Sequence, residues 1–230
     1  FFAGCRAASA VRILATLKPL DNYSPTALDL VLSVLAALAM PVACSILYPF
    51  IGAFGSLILY YGLFCFFIVK CRRGRLGYEL EKGSILKQFR GYVSRTFLLV
   101  MGAQLILVLN SYFILERVTP IDPIGFLLTL ALWAPINAFA EQLIWMYVFD
   151  SYADFYKEGP RRTILIVIGI LLYVALIGLI HALFWSQFLL ESAPISPFSQ
   201  IFFALQFVVS FGYIFLYRES ESMWPLGIIH

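Results

Sequence analysis

Apolar residues come along this chain in long unbroken runs, not in a strand's two-residue alternation. The runs cover Ala27 to Leu47, Phe50 to Val69, Thr96 to Leu115, Ile124 to about Tyr156, Thr163 to Trp185 and Phe198 to Tyr217. Most are near the length that a helix rising ~1.5 Å per residue needs to cross ~30 Å of hydrocarbon. A seventh run opens at Met223-Trp224-Pro225, where proline suits a first helical turn, and continues to His230. The pattern therefore predicts an all-α, polytopic transmembrane helical bundle of about seven spans, the last truncated. Ser24-Pro25-Thr26 reads as the start of the first helix. A tight turn at Pro49 is expected between the first two spans, and a break at Gly159-Pro160 after the fourth.

Composition sharpens the class. With 62% hydrophobic and 13% charged residues, and a mean hydropathy of +0.90, the chain is far from the soluble balance. It lacks an initiator Met and its last run is short, so we expect a fragment of a longer polypeptide. Phe1 to Leu14 is interrupted by Arg6 and Arg12, which argues against a cleaved signal peptide. Cys5, Cys44, Cys65 and Cys71 have no paired spacing of the metal or redox kind, and read as small apolar residues. No phosphate-binding glycine loop and no soluble basic domain points to nucleotide or nucleic acid.

Charge sets the expected orientation. If the N-terminus is cytoplasmic, every one of the 16 basic residues except Arg117 falls on the inner side, as the positive-inside rule requires. The segment from about 70 to 95 is then a basic cytoplasmic loop. Within it Leu76, Leu80, Ile85, Leu86, Phe89, Tyr92 and Val93 recur at mostly three- and four-residue spacing among Lys82, Lys87 and Arg90. That spacing predicts an interfacial amphipathic helix resting on the inner leaflet, with lipid headgroups as partners.

Polar residues at membrane depth carry the candidate chemistry. Glu141, beside Gln142, lies inside the run from Ile124, at a depth where an ionisable group costs at least ~2.5 kcal/mol. The two histidines, His181 and His230, also have apolar surroundings. A carboxylate and two imidazoles suffice for peptide hydrolysis: the carboxylate takes a proton from water, one imidazole orients that water, and another donates to the oxyanion. Depth constrains the set. If the fourth helix stopped at Asp150, Glu141 would lie ~13 Å from the inner boundary against ~27 Å for His181; a helix reaching Tyr156 puts it at ~22 Å. The fourth helix is therefore predicted to run past Asp150, while His230 stays shallow. Asn110, Asn137, Gln104 and Gln206 read as interhelical hydrogen-bonding groups, and Gly52, Gly55, Gly169 and Gly178 as sites of close helix approach.

Three stretches carry a resemblance. Glu141-Gln142-Leu143-Ile144-Trp145-Met146, Ile177-Gly178-Leu179-Ile180-His181 and Trp224-Pro225-Leu226-Gly227-Ile228-Ile229-His230 resemble, in order and spacing, the three motifs of the CAAX-processing and bacteriocin-processing (CPBP) intramembrane endopeptidases. Those motifs read Glu-Glu-x-x-x-Arg, Phe-x-x-x-His, and a Trp-Pro segment leading to His. The resemblance covers 124–230, which it implies is a catalytic core, and leaves 1–123 as N-terminal helices with the basic loop. It implies a metal-free, glutamate-dependent mechanism in which Glu141 and His181 activate water and His230 helps hold the oxyanion. The expected substrate is a lipidated or leader-bearing peptide or protein at the membrane. Gln142, Met146 and Ile177 depart from the pattern.

Other readings stay open on the residues alone. Glu141, His181 and His230 also suit zinc with an open fourth position, although there is no His-Glu-x-x-His. A catalytically impaired relative acting as an immunity or scaffold protein is a second class. A small transporter is a third, disfavoured by the lack of an internal repeat. Oligomeric state is not legible.

Overall fold

The computed structural model describes residues 17–80, 84–114, 122–187 and 197–230. Cys5, Arg6, Arg12, Lys82, Arg117 and the loop 188–196 lie outside the described residues. Among those described there are only helices and connections. They are α1 (Ala27–Gly52) and α2 (Phe54–Arg73), α3 (Ile85–Gly91) and α4 (Arg95–Ile114), α5 (Pro123–Ala153) and α6 (Pro160–Gln187), α7 (Pro197–Ser220) and α8 (Trp224–Ile229). Five stretches are long and apolar enough to cross a membrane: α1, α2, α5, α6 and residues Gln200–Ser220 of α7. The bent pair of α3 and the Arg95–Ser111 part of α4, kinked by 81°, makes a sixth if counted as one span. This architecture fits a multi-pass membrane protein. The amphipathic helix expected over the basic loop is confined to the seven residues of α3, because Leu76 to Leu80 are not helical.

The helices form two compact units. The first comprises residues 1–74 and 143–187, the second 75–142 and 188–230. Helix α5 therefore contributes its N-terminal part to the second unit and its C-terminal part to the first. Every residue from Ala140 to Asp154 is buried. The helix passes Asp150 and ends at Ala153, short of Tyr156.

In the first unit the chain reverses between α1 and α2 at Gly52, not at Pro49. Pro49 stays within helix, whereas Gly52 has φ +68° and ψ −178°, a backbone state that costs glycine little and a residue with a Cβ much. The capping acid of α1 is Asp29, whose Oδ2 accepts from the Thr26 N–H and hydroxyl, each at 2.7 Å. The same carboxylate takes Nε and Nη2 of Arg72 at 2.9 Å each and the Tyr147 hydroxyl at 2.8 Å. Beside it Arg73 pairs with Asp150 and donates to the Met146 carbonyl at 3.3 Å, with its guanidinium 4.9 Å from the centroid of the Tyr23 ring. Burial pushes the Tyr23 phenol well above its ordinary pKa, against the pull of that guanidinium. Tyr23 in turn shares a hydrogen bond of 3.0 Å with Ser151. Buried charges need such partners, since an uncompensated ion in an apolar interior costs several kcal/mol. Of the four glycines expected at close approaches, Gly169 is at one: a Cβ there would meet the Phe149 carbonyl and Tyr152 Cβ, both at 3.0 Å. Gly178 has open space around it, and a Cβ on Gly55 would overlap the Ile51 side chain at the end of α1. Cys44 and Cys65 are buried free thiols and Cys71 is an exposed one.

In the second unit α4 packs along α7, where a Cβ on Gly212 would overlap Val100. The connection before α3 returns to the start of α8: the Met223 N–H donates to the Gly77 carbonyl at 2.8 Å.

Candidate functional site

Helix α8 is only six residues long, too short to hold itself in place by backbone bonds alone. Aromatic packing fixes it. Trp224 meets Tyr78 at 5.4 Å, Phe89 at 5.5 Å and Phe139 at 5.7 Å between ring centroids, and its indole N–H donates to the Tyr78 carbonyl at 3.0 Å. The Tyr78 hydroxyl reaches the Phe139 carbonyl on α5 at 2.7 Å. Gly227 completes the contact, because a Cβ there would overlap the Phe139 ring. Pro225 adds a preset first turn. The Trp-Pro-x-Gly run thus seats α8 against α5 and carries His230, at its C-cap, to the face of α5 that presents Asn137 and Glu141.

Those two residues lie one helical turn apart and share that face. Glu141 is 1% exposed. Its Oε2 stands 3.6 Å from His230 Nε2, whose side chain is 17% exposed. The Asn137 amide nitrogen is 3.0 Å from the same Nε2. With Asn137 donating, the ring is neutral and carries its proton on Nδ1; with the carboxamide turned over, Nε2–H donates instead. The 3.6 Å gap is too long for a direct hydrogen bond. It is short enough for one water to contact both groups. Stacked on the His230 ring lies Tyr213 of α7, ring centroids 6.2 Å apart and interplanar angle 30°. Tyr213 is buried, within electrostatic reach of Glu141, and its hydroxyl has no hydrogen-bond partner among the described residues.

Gln142, next to Glu141, is fully buried, and neither its Oε1 nor its Nε2 has a partner among the described residues. An unmet buried amide costs about 1–3 kcal/mol by protein mutational data. Met146, four residues on, is buried as well.

His181 belongs to the first unit. Its Nδ1 lies 2.7 Å from the Ile177 carbonyl, so Nδ1–H donates to that carbonyl and Nε2 is the ring's basic nitrogen. Among the described residues, no three His, Cys, Asp or Glu side chains gather as a metal-ligating group. Glu141 and His230 supply two such side chains.

Comparison with protein families, curated proteins and solved structures finds no match. The resemblance drawn from the three motifs therefore stands on those residues alone. Two members of the constellation were not singled out as site residues from sequence. From sequence Asn137 is an interhelical hydrogen-bonding group, and the structure gives it such a bond, to His230; its spacing of four from Glu141 is the signal that marks it. Tyr213 is one of 13 tyrosines, and nothing in its surroundings along the chain marks it.

Proposed function

We propose that this chain is an intramembrane endopeptidase, hydrolysing a peptide bond at the membrane with Glu141 as the group that activates water. The observation that carries the reading is the buried Glu141 carboxylate lying 3.6 Å from His230 Nε2. Such a pair of ionisable groups inside a membrane span is retained for a function by default, and a carboxylate within one water of an imidazole has the chemistry of a general base. In the proposed mechanism Glu141 takes a proton from a water that also contacts His230, and the water oxygen attacks the carbonyl carbon. Asn137 holds the imidazole in orientation, while a part for His181 in activating water rests on the motif resemblance alone. Glu141 then returns the proton to the departing amine. The expected substrate is a lipidated or leader-bearing peptide, with the N-terminus and the loop 70–95 cytoplasmic. Gln142 and Met146, which stand where the motif has an acid and an arginine, are four residues apart, a spacing at which opposite charges on a helix are neighbours. Losing both leaves the local charge balanced.

Glu141→Gln keeps the shape and removes the base. We expect turnover of a lipid-anchored, internally quenched peptide to fall at least ~10³-fold, near the upper part of the general-base range, with little change in melting temperature. A variant that cleaves at the wild-type rate ends this reading. The same assay before and after chelation, with metal analysis of the purified protein, separates the metal-free mechanism from the zinc alternative on Glu141, His181 and His230. The neutral Gln142 and Met146 favour a second reading, a non-catalytic membrane protein that binds peptides. An inert wild type that gains cleavage on Gln142→Glu with Met146→Arg would establish it.

A further inference from the structure

One group beside Glu141 and His230 is idle in the mechanism just given. The Tyr213 ring lies against the His230 ring at 6.2 Å and is 1% exposed, yet its hydroxyl makes no hydrogen bond among the described residues. A buried phenol normally finds an acceptor. Leaving it without one is destabilising, and phenylalanine would keep the same packing without that cost. A hydroxyl kept at such expense, next to the two groups that handle water, is placed for an acceptor that arrives with the substrate. Stacked on the imidazole and not bonded to its nitrogens, it is free to serve an oxygen that His230 does not hold.

We infer that Tyr213 is a further catalytic residue, whose hydroxyl donates to the substrate carbonyl oxygen as negative charge develops there. The inference rests on the peptidase reading. As water adds to the carbonyl carbon, the C=O π pair moves onto oxygen and Tyr213 O–H donates a hydrogen bond to it, without giving up its proton. The oxyanion then re-forms C=O, the C–N bond breaks, and its electron pair takes the proton held by Glu141. The products are one carboxyl and one amine terminus, with water the only co-reactant. A donor aimed at the oxyanion stabilises the transition state more than the bound substrate, so its loss appears in kcat.

Tyr213→Phe separates this from a purely structural task, because the stacked ring remains. On the full chain in lipid nanodiscs, kcat for the lipid-anchored quenched peptide should drop about 10²-fold with KM within about twofold, as for loss of one oxyanion donor. A phosphinate peptide of the same sequence, tetrahedral and anionic where the scissile carbonyl stands, should bind the variant about 10²-fold more weakly, while the intact peptide binds inactive Glu141→Gln protein with or without the Tyr213 hydroxyl alike. The melting temperature should hold or rise. An unchanged kcat, or unchanged phosphinate affinity, overturns the assignment. If wild-type turnover is absent or survives Glu141→Gln, the peptidase reading falls by itself, and the phosphinate titration still decides whether Tyr213 binds an anionic tetrahedral oxygen.

Discussion

The two ends of the buried stretch of α5 handle polar groups in opposite ways. From Met146 to Ser151, in the first unit, the helix meets Arg73, Tyr23 and Asp29, and acids and bases there take each other as partners. From Asn137 to Gln142, in the second, a carboxylate stands 3.6 Å from an imidazole nitrogen, and among the described residues neither the Gln142 amide nor the Tyr213 hydroxyl has a hydrogen-bond partner. Burial is equally complete at Asp150 and at Gln142. The difference is satisfaction. Paired charges stabilise a bundle whose helices gain no hydrophobic drive from lipid, whereas unmet neutral donors and acceptors in an interior call for an explanation, a catalytic role or a bound water among them.

Breaking the closed end should have the larger effect on stability. Arg73→Ala leaves Asp150 buried and charged without its cation and should cost about 3–5 kcal/mol, read by reversible unfolding in mixed micelles. Arg73→Ala with Asp150→Ala should cost less than the sum of the single changes, because the pair is coupled. Additive losses would mean that the pair is not the unit. Smaller, and opposite in sign between the two ends, are changes at single neutral groups. Tyr147→Phe removes a donor from Asp29 and should destabilise by about 1 kcal/mol, while Gln142→Met should stabilise by about 1 kcal/mol or more, since it replaces an unmet amide by an apolar side chain of similar length. A destabilised Gln142→Met protein would contradict the contrast. Smallest is Asn137→Leu, which deletes one interhelical hydrogen bond worth about 0.6 kcal/mol in a membrane protein. A loss above about 2 kcal/mol there would class Asn137 with the structural network instead.

Some of this was readable before any coordinates. Four of the apolar runs, and most of a fifth, became membrane-length helices, and α5 passed Asp150 but ended at Ala153, short of the Tyr156 on which the depth argument for Glu141 relied. Gly52 displaced Pro49 as the first reversal because a proline needs only φ near −65°, which helix supplies, whereas the chain turned where it had to enter the left-handed region. The amphipathic pattern over Leu76 to Val93 was real as spacing. Its first part was instead drawn into contacts with the start of α8, through the Gly77 and Tyr78 carbonyls.

The sequence by itself determined the solvent and the cost of each polar position. Hydrophobicity adds along a chain, so span length and the exceptional standing of Glu141, His181 and His230 follow from composition in order. Only the tertiary structure decided which groups meet. Tyr213 and His230 stack because α7 and α8 bring them together, and Arg73 finds Asp150 because α2 and α5 do. Direction and distance between helices depend on packing of many side chains at once, and no local pattern encodes them.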